Sequence, residues 1–205
     1  MARHNRLVPT TATTRLARAD DAAQVQAIYA PIVRDTPISF EADPPDVAEM
    51  RRRIEVVLTR LPWLVRERGG EVLGYAYANP HRERFAYRWS VEVTVYVAAH
   101  ARGSGVGRSL YLPLLDLLAA QGHVNAYAGI TLPNPASVGL HQALGFTAVG
   151  VYQETGFKSG AWHDVGWWQR RLRELAVPPA PPTPLPAMPQ AAVRAALAAG
   201  QPPAR

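Results

Sequence analysis

The sequence predicts an α/β (α+β) fold, a single domain in which helices pack on the faces of a mixed β-sheet. Three observations lead there. Apolar runs of strand period alternate with runs of helix period, their order across 14–172 is β-α-α-β-β-β-α-β-α-β-β, and 205 residues with 48% hydrophobic content are enough for one core.

The elements follow in order. TRLARA (14–19) reads as a strand. Asp20-Asp21, with Gln24 three positions on, is a helix start, and that helix runs to about residue 32. The segment 34–45 is a loop with Phe40 as its notable apolar residue, and a second helix spans about 46–60 before Pro62. WLVRER (63–68) and EVLGYAYA (71–78) form a hairpin across Gly69-Gly70. After an irregular basic-aromatic stretch, 79–88, comes a strand at 89–98, then a helix at 105–121 and a strand at 125–132. Pro135 opens a short helix that stops at Gly145. Strands near 146–153 and 164–172 close the domain.

Residues 1–12 are expected to be a flexible N-terminus and 13–175 the folded domain. The proline- and alanine-rich stretch 176–205 is expected to be a disordered tail.

Cysteine is absent, which excludes disulfides, thiolate catalysis and Cys-based metal sites; no metal is expected. No apolar run approaches a membrane span, the N-terminus carries no signal-like apolar stretch, and a cytoplasmic location is expected. The net charge is +6, and Lys158 is the only lysine among 22 basic residues. The arginines are spread along the chain, so no nucleic-acid footprint is expected, and Arg51-Arg52-Arg53 reads as a solvated helix face.

HARGSGVGRSLY (100–111) joins the strand 89–98 to a helix. Glycine permits positive φ and close approach of a ligand to backbone, and consecutive amides at a helix N-terminus attract phosphate. A plain glycine turn is the competing reading. A P-loop would need Gly-Lys-Ser/Thr, but Arg108 follows Gly107. A dinucleotide fingerprint would need the loop near the first strand and a ribose-binding acid about 20 residues on.

In the strand 89–97, Ser90, Glu92, Thr94 and Tyr96 share one face by period two. A carboxylate in so apolar a strand is paired or functional, and on spacing alone an ion pair with an arginine is the stronger reading of Glu92. His141, in GLHQALGF, reads on its own as a packed helix histidine.

Arg102-x-x-Gly105-x-Gly107 resembles the acyl-CoA pyrophosphate loop of the GNAT acetyltransferases. WSVEVTVYV (89–97), LPNPASVGLHQALGF (132–146) and GFKSGAWHDVGWWQ (156–169) resemble the phosphinothricin N-acetyltransferase family in order and spacing, as do PWLVRERGGEVLGYAYA (62–78) and RFAYRW (84–89). Val93 departs from the family, which often has a small polar residue there.

The resemblance implies a GNAT fold, a homodimer, acetyl-CoA as co-substrate and transfer of its acetyl group to a small amine. It implies that Glu92 is the base, acting directly or through water. It places His141 where many GNAT enzymes have a thiolate-protonating tyrosine, with Tyr96 or an ordered water as the alternative donor. Backbone of Val95, Tyr96 and Val97 should meet the pantetheine arm. Arg102, Gly103, Ser104, Gly105, Val106, Gly107 and Arg108 should hold the pyrophosphate, with Asn134 and Ser137 also contacting the cofactor. Phe40, Tyr77, Arg84, Tyr87, Lys158 and His163 should border the acceptor; Arg84 would pair with its anionic group, a role for which Arg82 and Arg88 compete. Trp162, Trp167 and Trp168 read as core or dimer contacts.

Three functions remain open at this point: an N-acetyltransferase for a phosphinothricin- or methionine-sulfoximine-like acceptor, the same reaction on another amine, or an acyl-CoA-binding sensor without catalysis.

Overall fold

The computed structural model describes residues 11–198 and 200. Seven strands form one sheet in the order β1-β2-β3-β4-β5-β7-β6. They are β1 (Thr13–Leu16), β2 (Trp63–Arg68), β3 (Glu71–Pro80), β4 (Ser90–Val97), β5 (Asn125–Thr131), β6 (Thr147–Lys158) and β7 (Ala161–Arg171). Every pairing is antiparallel except β4 with β5. The helices are α1 (Ala22–Asp35), α2 (Val47–Leu58), α3 (Val106–Gln121), α4 (Pro135–Ala143) and α5 (Gln190–Ala198).

Side-chain alternation on β3 sets the layers. Gly74, Ala76 and Ala78 turn toward α3, and their small size lets the helix lie close: a Cβ on Gly74 would sit 3.0 Å from Val106 Cγ1 and 2.8 Å from the Tyr96 carbonyl. Tyr75 and Tyr77 turn the other way, stacking with Trp63 at 5.6 and 4.2 Å, beneath α1 and α2. The α3 side is a dense aliphatic layer in which Leu110, Leu114, Leu117 and Leu118 are fully buried.

Asp46 caps α2 by accepting from Glu49 N at 2.7 Å. The expected cap at Asp21 is not made. Its carboxylate takes Arg15 at 2.7 and 2.8 Å and Arg18 N at 2.7 Å, while Gln24 reaches the β2–β3 turn by accepting from Val72 N and donating to Gly70 O. A cation at hydrogen-bond reach outcompetes the orphan amides of the helix. The last two strands are longer than expected: β6 runs to Lys158 and β7 starts at Ala161, because Ser159 and Gly160 adopt positive φ and close a two-residue hairpin.

The expected disordered tail is corrected over residues 176–198. Thr183 N donates to Gln121 O at 2.7 Å, Leu185 N donates to Arg60 O at 3.0 Å, and the Gln121 amide donates to both Arg60 O and Thr183 O. Leu185, Met188 and Ala196 are buried, and α5 packs on α3. Composition reports how little apolar area a segment carries. It does not show that α3 and β1 offer a surface for a few anchors, reached by prolines whose φ is already fixed. The expected flexible start falls almost wholly on residues outside those described.

Candidate active site

The parallel pair β4–β5 is short. Ser90, Glu92 and their neighbour register with 125–127, and then the strands part, although β4 continues to Val97 and β5 to Thr131. The opening is lined on one wall by Val93 to Tyr96, on the other by Ala128 to Thr131, with Asn134, Ser137 and His141 of the α4 segment and Tyr111 of α3. The parting leaves backbone of Val93–Val97 free of a strand partner on that side, as an added strand-like ligand requires. Val97 lies outside this lining, and its carbonyl is approached by Arg102 Nε at 3.4 Å.

The glycine segment sits at the start of α3. Gly103 and Gly105 have φ of +74° and +83°, values that favour glycine, and Gly105 is the residue before the first helical turn. Among the described residues, no hydrogen bond uses the amides of 103–108, whereas Ser109 N closes on Gly105 O at 3.0 Å. Six consecutive donors at a helix N-terminus are a fitting cradle for a diphosphate. Ser104 Oγ donates to Ala101 O at 2.6 Å, so its hydroxyl shapes the loop. Val106 is buried and Arg108 exposed. Asn134, which lines the cleft, caps α4 by accepting from Ser137 N at 3.1 Å, and its amide NH2 has no partner among the described residues.

Glu92, opposite Asn79 of β3, is 32% exposed at the side chain. Its Oε1 accepts from Arg82 NH1 at 3.0 Å and from His81 Nδ1 at 2.9 Å. The arginine pairing anticipated from spacing therefore exists, and the imidazole beside it was missed. A signal was present: Tyr75, Tyr77, Asn79 and His81 share one face by period two, and the chain turns back at His81 N to Ser90 O, 3.2 Å.

His141 is 2% exposed, a core residue rather than one at the domain edge. Nδ1 lies 2.8 Å from Ser137 O, and a carbonyl only accepts, so Nδ1 carries the hydrogen. Nε2 faces the Tyr111 hydroxyl at 3.1 Å. Burial pushes the imidazole below its ordinary value, so it is neutral at pH 7, and Tyr111 donates to Nε2. Tyr111 is the second residue that sequence reasoning missed; on an apolar helix face it is indistinguishable from core.

The expected acceptor residues divide. Tyr77 lines a cavity of about 340 Å³ with Tyr29, Glu41, Arg53 and Asn79. Tyr87 meets His81 edge-on at 5.9 Å. Phe40 covers Gly156, where a Cβ would collide with its ring, and lies 6.3 Å from His163. The Lys158 ammonium donates to the carbonyls of Val33, Ser39 and Glu41 at 2.6, 2.6 and 2.9 Å, so it ties the 34–45 loop to the end of α1, and His163 donates to Lys158 O. Lys158 and His163 thus brace the loop. Arg84 lines a separate cavity of about 590 Å³ with Arg60, Arg88 and His123, away from Tyr77. The solvated arginine face is an ion-pair network: Arg53 binds both Glu41 and Glu49, and Tyr29 donates to Glu41 at 2.8 Å. Of the tryptophans, Trp168 is core, Trp162 is exposed, and Trp167 lies over Gly129 and edge-on to His81 at 6.0 Å.

A seven-stranded sheet that parts beside a free-amide helix start is the architecture of an acyltransferase, and the acetyltransferase (GNAT) domain family matches residues 14–167; the chain belongs to that family. It is 44% identical over 171 residues to the phosphinothricin N-acetyltransferase of Streptomyces viridochromogenes, covering 83% of this chain and 93% of the relative. It is 35% identical over 169 residues to the L-methionine sulfoximine/L-methionine sulfone acetyltransferase of Salmonella typhimurium, covering 82% and 99%. Among solved structures, the phosphinothricin acetyltransferase of Sinorhizobium meliloti in complex with AcCoA superposes with a TM-score of 0.78 at 38% identity, covering 84% of this chain and 94% of that one.

Proposed function

We propose that this protein transfers the acetyl group of acetyl-CoA to the amino group of a small amino-acid-like acceptor of the phosphinothricin or methionine sulfoximine/sulfone type. One observation carries the reading. The cleft opens just past Glu92, the last residue of the β4–β5 register, and runs by His141 and Asn134, with the unpartnered amides of 103–108 beyond the end of β4. Relatives named for those acceptors support the choice of amine.

The amides of 103–108 hold the diphosphate and the free side of Val93–Tyr96 aligns the pantetheine arm, so the thioester lies in the cleft. When bound, the coenzyme supplies an acetyl thioester; the chain supplies the rest. Glu92 and its bonded imidazole stand on the face where the amine must lose a proton. A free β4 amide polarises the carbonyl. The neutral, buried His141 is an orienting group: its Nε2 holds the Tyr111 hydroxyl, which lines the cleft and relays a proton to the departing sulfur. Tyr77, Tyr87 and the Phe40 loop border the acceptor side, and Arg82, already on Glu92, is placed to meet its anionic group. A cofactor sensor would need the loop and Asn134 but neither Glu92 nor Tyr111–His141.

Two further readings belong here. β6 is an edge strand with exposed Val149, Val151 and Tyr152, joined by exposed Phe157 and Trp162, a surface suited to a second copy of the chain. A cysteine-free chain that consumes acetyl-CoA fits the cytoplasm.

The test is release of free thiol from acetyl-CoA with a panel of amines. Phosphinothricin- or methionine-sulfoximine-dependent thiol supports the reading. Thiol with other amines alone moves the acceptor class, and binding without acceptor-dependent thiol leaves a sensor.

A further inference from the structure

We propose that His81 is the group that takes the proton from the acceptor amine, with Glu92 holding its imidazole in the active tautomer and carrying the balancing charge.

Four observations lead to it. First, Nδ1 of His81 is 2.9 Å from Glu92 Oε1, and a carboxylate only accepts, so Nδ1 carries a hydrogen and, when the ring is neutral, the lone pair is on Nε2. Second, Nε2 has no hydrogen-bond partner among the described residues and is absent from the sealed, unsatisfied atoms, so it reaches solvent although the side chain is only 14% exposed. Third, the ring is fixed. It stacks on Tyr127 at 4.4 Å with 19° between planes and meets Tyr87 and Trp167 edge-on. Trp167 in turn lies over Gly129, which lines the cleft. Fourth, Oε1 of Glu92 already accepts from two donors, Arg82 and His81, and so is occupied as a proton acceptor.

The groups facing the imidazole are Glu92 of β4, Arg82 beside it on the same turn, and the rings of Tyr87, Tyr127 and Trp167 from the flanking elements. A carboxylate-oriented imidazole with one open nitrogen is the arrangement of a general base. The step balances. The acceptor arrives as an ammonium, one N–H proton passes to Nε2, and the imidazolium is compensated by Glu92. The freed nitrogen pair bonds to the acetyl carbon while the carbon–sulfur bond breaks, and the sulfur leaves with the electron pair and takes the second N–H proton of the nascent amide, relayed by the Tyr111 hydroxyl, which ends protonated as it began. His81 then returns its proton to solvent.

This inference rests on the acetyl-transfer reading. The experiment compares His81→Phe, which keeps the stack on Tyr127, with His81→Gln and the wild type. It follows kcat/KM for the acceptor against pH with acetyl-CoA saturating. Expected is a loss of about 10²-fold or more at pH 7, disappearance of the limb that reports an imidazole, and recovery toward wild type near pH 10, where the amine is already neutral. KM for acetyl-CoA should stay within twofold. A His81→Phe enzyme within twofold of wild type at pH 7, or one that keeps the same limb, overturns the proposal. A loss that persists at pH 10 also overturns it, because that marks a structural role. A readout without substrate separates this from failure of the acetyl-transfer reading: imidazole nitrogen NMR of the free protein should show the Nδ1–H tautomer for His81 and the opposite or mixed state in Glu92→Gln. An Nε2–H tautomer in wild type sinks the inference whatever the enzyme acetylates.

Discussion

Tyr111 on α3 donates its hydroxyl to Nε2 of His141 on α4 across 3.1 Å, and the two rings meet edge-on with centroids 5.2 Å apart. The contact joins the helix that begins in the glycine loop to the helix that carries Asn134. Replacing Tyr111 by Phe removes the cleft hydroxyl and leaves Nε2 buried without a donor. Turnover is expected to fall about a hundredfold with acetyl-CoA affinity within a few-fold, and stability by about 1–3 kcal/mol. Thiol-release kinetics and thermal unfolding read the two effects separately. An unchanged kcat removes the hydroxyl from the chemistry.

The glycine loop makes its own demand. Gly105 stands at φ +83° with open space around its missing Cβ, so Gly105→Ala acts through backbone conformation and not through a clash. The strain is about 1–2 kcal/mol, and its relief turns amides away from the diphosphate. Calorimetry should show acetyl-CoA binding weakened about tenfold or more, while Glu92→Gln, remote from the loop, binds normally.

His123, 5% exposed after the end of α3, is held by burial at about 4, against 6.5 for the free side chain. The folded state keeps it neutral below pH 6.5, where the unfolded chain takes up a proton. Its contribution is therefore complete above pH 6.5 and declines as pH falls from there toward 4, by up to about 3 kcal/mol. Denaturant unfolding of His123→Phe between pH 7 and 4 should show a flatter slope than wild type. Parallel slopes would show that the imidazole does not stay neutral in the native protein.

Lys158 gathers two carbonyls of the 34–45 segment, Ser39 and Glu41, and one of α1, Val33. Lys158→Met, which keeps the length and loses the donors, should free the Phe40 loop. The acceptor KM is expected to rise about tenfold with the acetyl-CoA KM unchanged, and proteolysis near residue 40 to quicken. A rise in both KM values would mean the loop is not specific to the acceptor side.

Shortening the chain at Arg173 removes α5 from α3 and uncovers the surface of Leu16, Ala17 and Leu58 beside which Leu185 and Met188 are buried. Fully burying such side chains contributes about 1.5–3 kcal/mol each. A fall in Tm with kcat retained at low temperature is expected; an unchanged Tm would mean that the docked segment adds nothing to stability.

The sequence by itself determined the order of strands and helices, the glycine loop at the start of α3, and the face that Glu92 shares with Thr94 and Tyr96. Each follows from chain-local physics: side-chain period, the φ that only glycine tolerates easily, and proline and asparagine at helix starts. Motif spacing also carried the family, confirmed by relatives of 35–44% identity over four-fifths of the chain. Only the tertiary structure decided which partners meet. His81 joins Glu92 because β3 overshoots to face β4, Tyr111 reaches His141 across two helices 30 residues apart, and Lys158 spends its charge on carbonyls more than 115 residues away. The proline-rich return was invisible for the same reason. Its few apolar anchors fold only against a surface that other elements build, and no window of sequence contains that surface.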